Sequence, residues 1–263
     1  MNFDLSDDQR LMRESFARFF DEQSSTERVR AAAEKGGFDP DMWRGLAELG
    51  AYSLRVPEAQ GGIGLGTMDA AVLMEEAGRT LASGPLAETL VATRVLAILA
   101  ADAQAELLEQ VLVGDKVLSL ALADAGDSPS QWVAGGAVAD AVVARRGDQV
   151  LLVEITGASG EANLASTPLA EVDLSGDATV LGEGEAATEL FAQAVEEWKL
   201  LVAVALSGLA REAVRQASEY ACERVAFGQP IGTYQGISHP LADVIVDIDA
   251  TKLFVWKTIH DIA

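Results

Sequence analysis

The residues best suited to chemistry lie between positions 224 and 243, at the junction of two long helical patterns. Arg224 offers a planar fork of N–H donors that can pair with a pyrophosphate. Gln235 can both donate and accept hydrogen bonds, and Gly228 permits a tight turn between the two. Phe227 is expected to pack at the helix-to-helix corner. The stretch is therefore the first candidate for a binding site.

Other kinds of site find little support in the sequence. Neither of the two histidines has partners at ligand spacing, so no metal site is predicted. The glycines at 61, 62, 64 and 66 do not fit G-x-G-x-x-G, because Thr67 occupies the last position. The preceding strand that this motif requires is also missing, so a nicotinamide site is not expected.

Bulk composition excludes several classes of partner. The formal net charge is −22 over 263 residues, which argues against a duplex nucleic acid. The N-terminus has neither the basic nor the apolar region of a signal peptide, and the apolar stretch 86–101 is too short and too charged to span a membrane. Cys222 is the only cysteine, which rules out an internal disulfide and fits a reducing compartment. A cytoplasmic protein without nucleic-acid or membrane partners is expected.

The elements that must position the junction fall into three regions. Residues 1–115 carry helical periodicity, with a capping-box pattern at Ser6 to Gln9 and a helix start at Pro40. Residues 116–185 change to short β-branched runs, with a hairpin turn predicted at 146–149. Residues 186–263 return to helix. The fold class is therefore mainly α with a small, mostly antiparallel β-domain.

The last region reads as the start of a helical bundle. One helix is predicted over about 186–225, which would span about 60 Å at 1.5 Å per residue. A second helix is predicted from near Ile237, and its pattern is still running at Ala263. Two helices cannot bury the faces of a bundle. The expectation is that either the chain is incomplete or another chain completes the bundle.

Three motifs together resemble the acyl-CoA dehydrogenase superfamily. Residues 224–243 resemble its junction motif R-x-x-F-G-x-P-I-x-x-x-Q-x-x-x-H-x-L-A-D. Residues 56–65 are similar to its V-P-E-x-x-G-G-x-G-L, followed by Met-Glu-Glu-Ala-Gly-Arg at 74–79. The resemblance spans essentially the whole chain. It implies an N-terminal helical domain (1–115), a reduced middle β-domain (116–185) and the start of a C-terminal helical bundle (186–263).

The resemblance also implies an activity. Members use FAD to remove two hydrogens from the α and β carbons of an acyl-CoA: a carboxylate takes the α proton, and the β hydride goes to flavin N5. Electrons then pass to an electron-transfer flavoprotein. The arginine and glutamine of the junction motif reach the FAD of a neighbouring subunit. Arg224, Phe227 and Gln235 are therefore the candidate cofactor-binding residues, at an interface with a homologous subunit or a second copy.

The middle domain departs from the family pattern. Residues 123–128 stand where members have a T-E-P-like turn that touches the flavin, and the threonine is absent. The next hairpin is expected to be deleted, because Trp132 leads almost directly into the run 136–143. We expect this domain not to bind flavin in the usual way. The alternative is that Asp127 and Ser128 still provide backbone contacts.

The base is a second departure. Most members carry it in a late segment that this chain does not reach, and a minority place it early on the long helix, at the position of Trp198 here. No residue is assigned as the base. Glu197 is kept as a candidate, although a one-residue shift turns a side chain by about 100°. Otherwise Glu196 and Glu197 are read as a solvated helix start.

Three hypotheses follow from these departures. The first is an abridged subunit of a heteromeric (α2β2) acyl-CoA dehydrogenase, in which a homologous partner supplies the base and most flavin contacts, acting on a bulky acyl group such as a steroid side chain. The second is a catalytically silent structural or interaction homologue without cofactor. The third is a conventional homotetrameric dehydrogenase with a truncated C-terminus.

Overall fold

The computed structural model describes residues 4–262. Six helices come first: α1 (Asp7–Gln23), α2 (Thr26–Ala33), α3 (Pro40–Glu48), α4 (Thr67–Thr80), α5 (Leu86–Ala100) and α6 (Ala105–Leu112). The predicted capping box is confirmed, because Ser6 Oγ accepts from the Gln9 backbone and Gln9 Oε1 accepts from the Ser6 backbone. Pro40 lies in the first turn of α3, which Asp39 caps. Local capping chemistry thus defines these helix starts.

Helix α5 lies at the centre of the helical region. Every residue from Leu86 to Ala97 is buried except Arg94, as expected for a helix that is apolar nearly all round. Thr89 Oγ1 donates to the Leu118 carbonyl oxygen at 2.6 Å, which joins the helix to the β-domain. Glu88 is the one carboxylate in this buried run.

The middle region forms two small sheets. Strands β1 (Leu118–Asp124), β3 (Ala141–Arg146), β4 (Gln149–Glu154) and β6 (Thr179–Glu183) pair in the order β1-β3-β4-β6, with β1 and β3 parallel and the other pairs antiparallel. The predicted hairpin turn is confirmed: Arg146 pairs with Gln149 across a two-residue loop.

A second, two-stranded sheet was not predicted. Strand β2 (Ser130–Val133) pairs antiparallel with β5 (Ala170–Asp173). Its buried Val133, Ala170 and Val172 form one apolar cluster with residues of the larger sheet, including Val142 and Leu151. The segment after the first strand therefore contains a strand whose partner lies about 40 residues later in the chain.

The long helix α7 (Glu185–Glu223) crosses α4 at backbone contact. A Cβ on Gly78 would lie 1.9 Å from the Ala205 carbonyl oxygen, and one on Gly208 would lie 2.1 Å from the Glu75 carbonyl oxygen. Only glycine fits at these two points. Gly78 belongs to the motif at 74–79, so that motif serves this close crossing.

The chain then turns back through a short hairpin, β7 (Val225–Ala226) and β8 (Gln229–Pro230), into α8 (Gln235–Ile262). Helix α8 packs on α7 and α4. Lys252 forms an ion pair with Glu75 of α4 at 2.5 Å and lies over the Trp256 ring. Within residues 4–262, no helix is long and apolar enough to cross a membrane.

Candidate functional site

Arg224 lies at the end of α7 with a free guanidinium group. Its backbone is held on both sides, because its N–H donates to the Tyr220 carbonyl oxygen and its own carbonyl oxygen accepts from Ile231, both at 2.8 Å. Its side chain is exposed and, among the described residues, has no ion pair or hydrogen bond. A fixed backbone with unengaged N–H donors suits recognition of an external phosphate.

Phe227 is in the tight turn that follows, and its expected packing is wrong. Phe227 and Gly228 have φ of 52° and 86°, the left-handed pair of a two-residue type I′ hairpin turn. This turn directs the ring outward, where it is 97% exposed and touches only the edge of Tyr234. A left-handed phenylalanine costs about 1–2 kcal/mol, so the outward ring is maintained against local strain.

Gln235 is the first residue of α8, two positions before the predicted start of that helix. Its side chain is exposed and has no hydrogen-bond partner within residues 4–262. The N-terminus of this 28-residue helix carries a partial positive charge. The junction therefore places a cation, an amide and a helix N-terminus next to one another in the chain, all facing outward.

The turn after β1, where the resemblance implies flavin contacts, is closed by its own side chains. Gln131 bonds both backbone groups of Ala123, accepting from its N–H at 3.1 Å and donating to its carbonyl oxygen at 2.9 Å. Asp124 Oδ1 accepts from Gly126 at 2.8 Å and from Gly147 at 3.1 Å. These groups are already engaged within the chain.

The alternative flavin contact at this turn concerns the backbone of Asp127 and Ser128. The N–H groups of Asp127 and Ser128 both donate to the Asp124 carbonyl oxygen, at 3.2 and 2.9 Å. Ser128 also accepts from the Gln131 side chain. The N–H donors of this turn are therefore used within the chain and do not fit the flavin contacts that the resemblance implies, whereas the side chains of Arg224 and Gln235 keep free donors among residues 4–262 that fit a phosphate-bearing cofactor.

Glu197 is buried, so its reading as part of a solvated helix start is wrong. Arg55 binds it in a bidentate pair at 2.5 and 3.2 Å, and Arg94 reaches its second oxygen at 3.3 Å. Glu196, one residue earlier, is exposed. The pattern failed because residue 197 faces α5 and the loop before α4, across 142 residues of sequence. With both oxygens bound by guanidinium groups, the geometry does not favour Glu197 as a base.

Trp198 contacts a second buried carboxyl group. Its indole Nε1–H donates to Glu88 Oε1 at 2.7 Å. Burial raises the pKa of Glu88, and the Trp198 hydrogen bond only partly offsets this. No ion pair to Glu88 is present in the part of the chain that the structure describes. The position that bears the base in some relatives therefore holds an indole bonded to a carboxyl group of α5.

Glu88 lies in the wall of a cavity of about 590 Å³ between α4, α5 and α7. Residues 164–167 close one side by packing on the end of α2, where a Cβ on Gly37 would lie 1.9 Å from the Ser166 carbonyl oxygen. The lining is mostly apolar: Met74, Ala77, Leu86, Val202, Ala205, Leu206 and Leu209 are among its members. Such a volume and lining are typical of ligand pockets.

Sequence reasoning missed Glu88, although a signal was present. A single carboxylate in a helix that is otherwise almost wholly apolar is costly to bury and marks a position with a specific role. The second sheet also had a signal, since residues 170–174 alternate apolar and polar side chains.

Comparison with known proteins decides the family. The model of the acyl-CoA dehydrogenase N-terminal domain matches residues 6–115, and that of the C-terminal domain matches residues 188–263. The chain belongs to the acyl-CoA dehydrogenase family. It is thereby an oxidoreductase of the kind that acts on acyl-CoA, and the fold inferred from its motifs is confirmed.

Two curated relatives align with this dehydrogenase over different numbers of positions. Acyl-CoA dehydrogenase IpdE2 of Mycolicibacterium smegmatis is 31% identical over 257 residues, covering 97% of this chain and 78% of the relative. Benzylmalonyl-CoA dehydrogenase of Aromatoleum aromaticum is 29% identical over 303 residues, covering 98% and 79%. The first alignment needs almost no gaps in this chain, whereas the second needs many. IpdE2 is therefore as short as this chain in the aligned region, and we call this the shortened form.

Solved structures agree with the fold of this dehydrogenase. The steroid acyl-CoA dehydrogenase Tcur3481-Tcur3483 (G363A variant) has a TM-score of 0.82 at 26% identity, covering 96% of this chain and 77% of that one. The ChsE4-ChsE5 complex from Mycobacterium tuberculosis has a TM-score of 0.83 at 23% identity, covering 100% and 79%. The second likeness is one of fold alone.

Proposed function

We propose that this chain is one subunit of an FAD-dependent acyl-CoA dehydrogenase that catalyses α,β-dehydrogenation of an acyl-CoA thioester. A homologous partner subunit supplies the base and most flavin contacts. This chain contributes Arg224 and Gln235 to the FAD of that partner. When bound, the flavin supplies the acceptor for the β hydride.

One observation carries the proposal: the side chains of the junction have no partners among residues 4–262, whereas the backbone groups of the turn after β1 are bonded within the chain. The guanidinium of Arg224 and the amide of Gln235 are exposed without partners among residues 4–262. At the turn, the backbone groups of Ala123 are bonded to Gln131. A chain that uses up its own flavin-side groups but leaves its outward groups free is suited to complete a site on another chain.

The position of the carboxylates supports a base from the partner. Glu197 is held by two arginines, and Trp198 is bonded to Glu88. A general base needs an oxygen within hydrogen-bond reach of the proton that it removes. In this chain the oxygens of Glu197 are committed to guanidinium groups, and the indole of Trp198 has no basic atom to offer.

An apolar stripe on α8 supports association with another subunit. Val246, Ala250, Leu253 and Phe254 are exposed and share one helix face at i, i+4, i+7 and i+8 spacing. Exposed apolar patches mark interaction surfaces. The outward ring of Phe227 lies at the end of the same helix pair, so the stripe and the junction are both available to a partner.

For the substrate, we favour a bulky acyl group such as a steroid side chain. Support comes from the likeness to the steroid dehydrogenase Tcur3481-Tcur3483. The electron acceptor that family membership favours is an electron-transfer flavoprotein. Both parts of the proposal can be tested by reduction of that acceptor with steroid side-chain and straight-chain thioesters.

The direct test of the interface role is Arg224→Ala in the complex with the proposed homologous partner subunit. Loss of a charge-assisted bidentate contact costs about 1.5–3 kcal/mol, so we expect FAD to dissociate with a Kd about 10- to 100-fold higher. Arg224→Lys keeps the charge but loses the fork of N–H donors. Its Kd for FAD should therefore lie between those of the unmodified complex and Arg224→Ala.

Arg10→Ala is the matched control, because Arg10 is exposed on α1 and forms its ion pair with Asp7 of the same helix. It should leave FAD affinity unchanged. FAD affinity in Arg224→Ala equal to that of the unmodified complex would overturn the role of Arg224. Full FAD retention by the chain without a partner would instead favour the homotetrameric hypothesis.

A further inference from the structure

Tyr234 connects the two arms of the junction. Its hydroxyl donates to the Ala226 carbonyl oxygen at 3.0 Å, in the hairpin that carries Phe227. Its ring is nearly perpendicular to the Phe227 ring, at 87°, with centroids 6.4 Å apart. Its backbone directly precedes Gln235, the first residue of α8. One residue therefore ties the strand that follows Arg224 to the start of the next helix.

The hairpin is too short to hold its shape by strand pairing alone. Strands β7 and β8 have two residues each, and a two-stranded hairpin is marginally stable at best on its own. Phe227 also has a left-handed backbone, with φ of 52°, which is unfavourable for a residue with a Cβ. The hydrogen bond from Tyr234 ends at the residue before Phe227, so it stabilises the turn next to its strained position.

The segment that carries Tyr234 is itself anchored on α7. A Cβ on Gly232 would lie 3.1 Å from the Ala221 carbonyl oxygen, so this segment lies directly on the backbone of the helix. The Ile231 N–H donates to the Arg224 carbonyl oxygen at 2.8 Å. The Tyr234 hydroxyl therefore acts from a fixed support and, together with Ile231, holds the chain after Arg224 at two points.

We propose that Tyr234 is a positioning residue, whose hydroxyl fixes the backbone from which Arg224 projects relative to Gln235, so that both side chains reach one cofactor. This inference rests on the proposed function, in which the two residues bind the FAD of a partner subunit. A guanidinium fork binds a phosphate bidentately only in the correct direction, and a loosely supported binding group loses affinity. Tyr234 needs no contact with the cofactor, because it acts through Arg224.

The test measures the Kd for FAD of the complex with the proposed homologous partner subunit, at partner concentrations that saturate association. Tyr234→Phe keeps the ring and removes only the hydroxyl. We expect the Kd to rise about fivefold, as for one lost neutral hydrogen bond. Tyr220→Phe is the matched control, because the Tyr220 side chain is exposed and its hydroxyl has no hydrogen bond among residues 4–262. This control should leave the Kd unchanged.

A double-mutant cycle separates positioning from general support of the fold. Since Tyr234 acts through Arg224, Tyr234→Phe should change the Kd by less than about twofold when Arg224→Ala is already present. The same fold-change in both backgrounds would show a merely structural role and overturn the inference. An effect of Arg224→Ala without one of Tyr234→Phe would overturn this inference alone. An unchanged Kd in Arg224→Ala would overturn the proposed role of Arg224, and this inference with it.

Discussion

The middle of α7 and the junction after its end treat their polar groups in opposite ways. Around residues 197 and 198, carboxylates, guanidinium groups and the indole are paired within the chain. At the junction, Arg224, Phe227 and Gln235 are exposed, and the phenylalanine ring points outward against a left-handed backbone. The difference shows how one helix can contribute stability along its length and recognition at its end.

The polar groups around residues 197 and 198 form a closed region, because they are paired within the chain, and the junction forms an open region. The turn after β1 belongs with the closed region. Its backbone groups are bonded to Gln131 and Asp124, although the resemblance assigns flavin contacts to this place. In the proposed function, closing this turn while leaving the junction open separates the two halves of a cofactor site. The alignment with IpdE2, nearly free of gaps over 257 residues, indicates that the shortened form is not peculiar to this chain.

The largest effect is expected from breaking the closed region at Glu197. Glu197→Ala leaves Arg55 and Arg94 without their shared carboxylate, and loss of one partner from a buried pair costs about 3–5 kcal/mol. Urea unfolding followed by circular dichroism measures the free energy of unfolding. Glu196→Ala, at an exposed position one residue away, should change it by less than about 0.5 kcal/mol. Equal effects of the two substitutions would contradict the ion-pair assignment.

A medium effect is expected from a substitution in the open region. It concerns association with the partner subunit and not the stability of the chain. Phe227→Ala should weaken binding to the partner subunit by about 2 kcal/mol, or roughly thirtyfold in Kd, as for an aromatic anchor at an interface. Biolayer interferometry against the immobilised partner measures this Kd.

Two further variants separate association from stability. Leu11→Ala removes another exposed apolar side chain, on α1, and should leave the Kd unchanged. Phe227→Gly should stabilise the isolated chain by up to about 1 kcal/mol, because glycine adopts the left-handed turn without strain. An unchanged Kd in Phe227→Ala would show that the outward ring is not an anchor.

The smallest effect, a change in the slope of stability with pH, concerns the buried carboxyl group of Glu88. Burial raises the folded-state pKa of Glu88 above its ordinary value of 4.5. The unfolded chain therefore releases this proton first, and stability falls as pH rises from about 4.5 toward the folded-state pKa. Melting temperatures of wild type and Glu88→Gln should be closest below pH 4.5 and then diverge in favour of the variant. Parallel curves would show that folding does not change the pKa of Glu88.

Much of the fold was predictable because its signals are local. The capping box at Ser6, the helix start at Pro40 and the hairpin turn at 146–149 each depend on residues within four positions of one another. The pairing of β2 with β5 was missed because it joins segments about 40 residues apart.

The candidate site was predictable only in part, for the same reason. The junction motif is contiguous, so Arg224 and Gln235 could be singled out from sequence. Trp198 and Glu88 are 110 residues apart, and Arg55 and Glu197 are 142 apart. Such pairs exist only once α5, α7 and the loop before α4 have packed. Phe227 was misplaced because a type I′ turn sends its side chain outward.

The flavin content of the purified protein tests the central claim most directly. The chain is expressed alone and together with its homologous partner, and flavin absorbance is measured per mole of each chain. The account predicts a colourless chain when expressed alone and one FAD for each pair of chains in the complex. A full complement of FAD on the chain alone, or none in the complex, would contradict it.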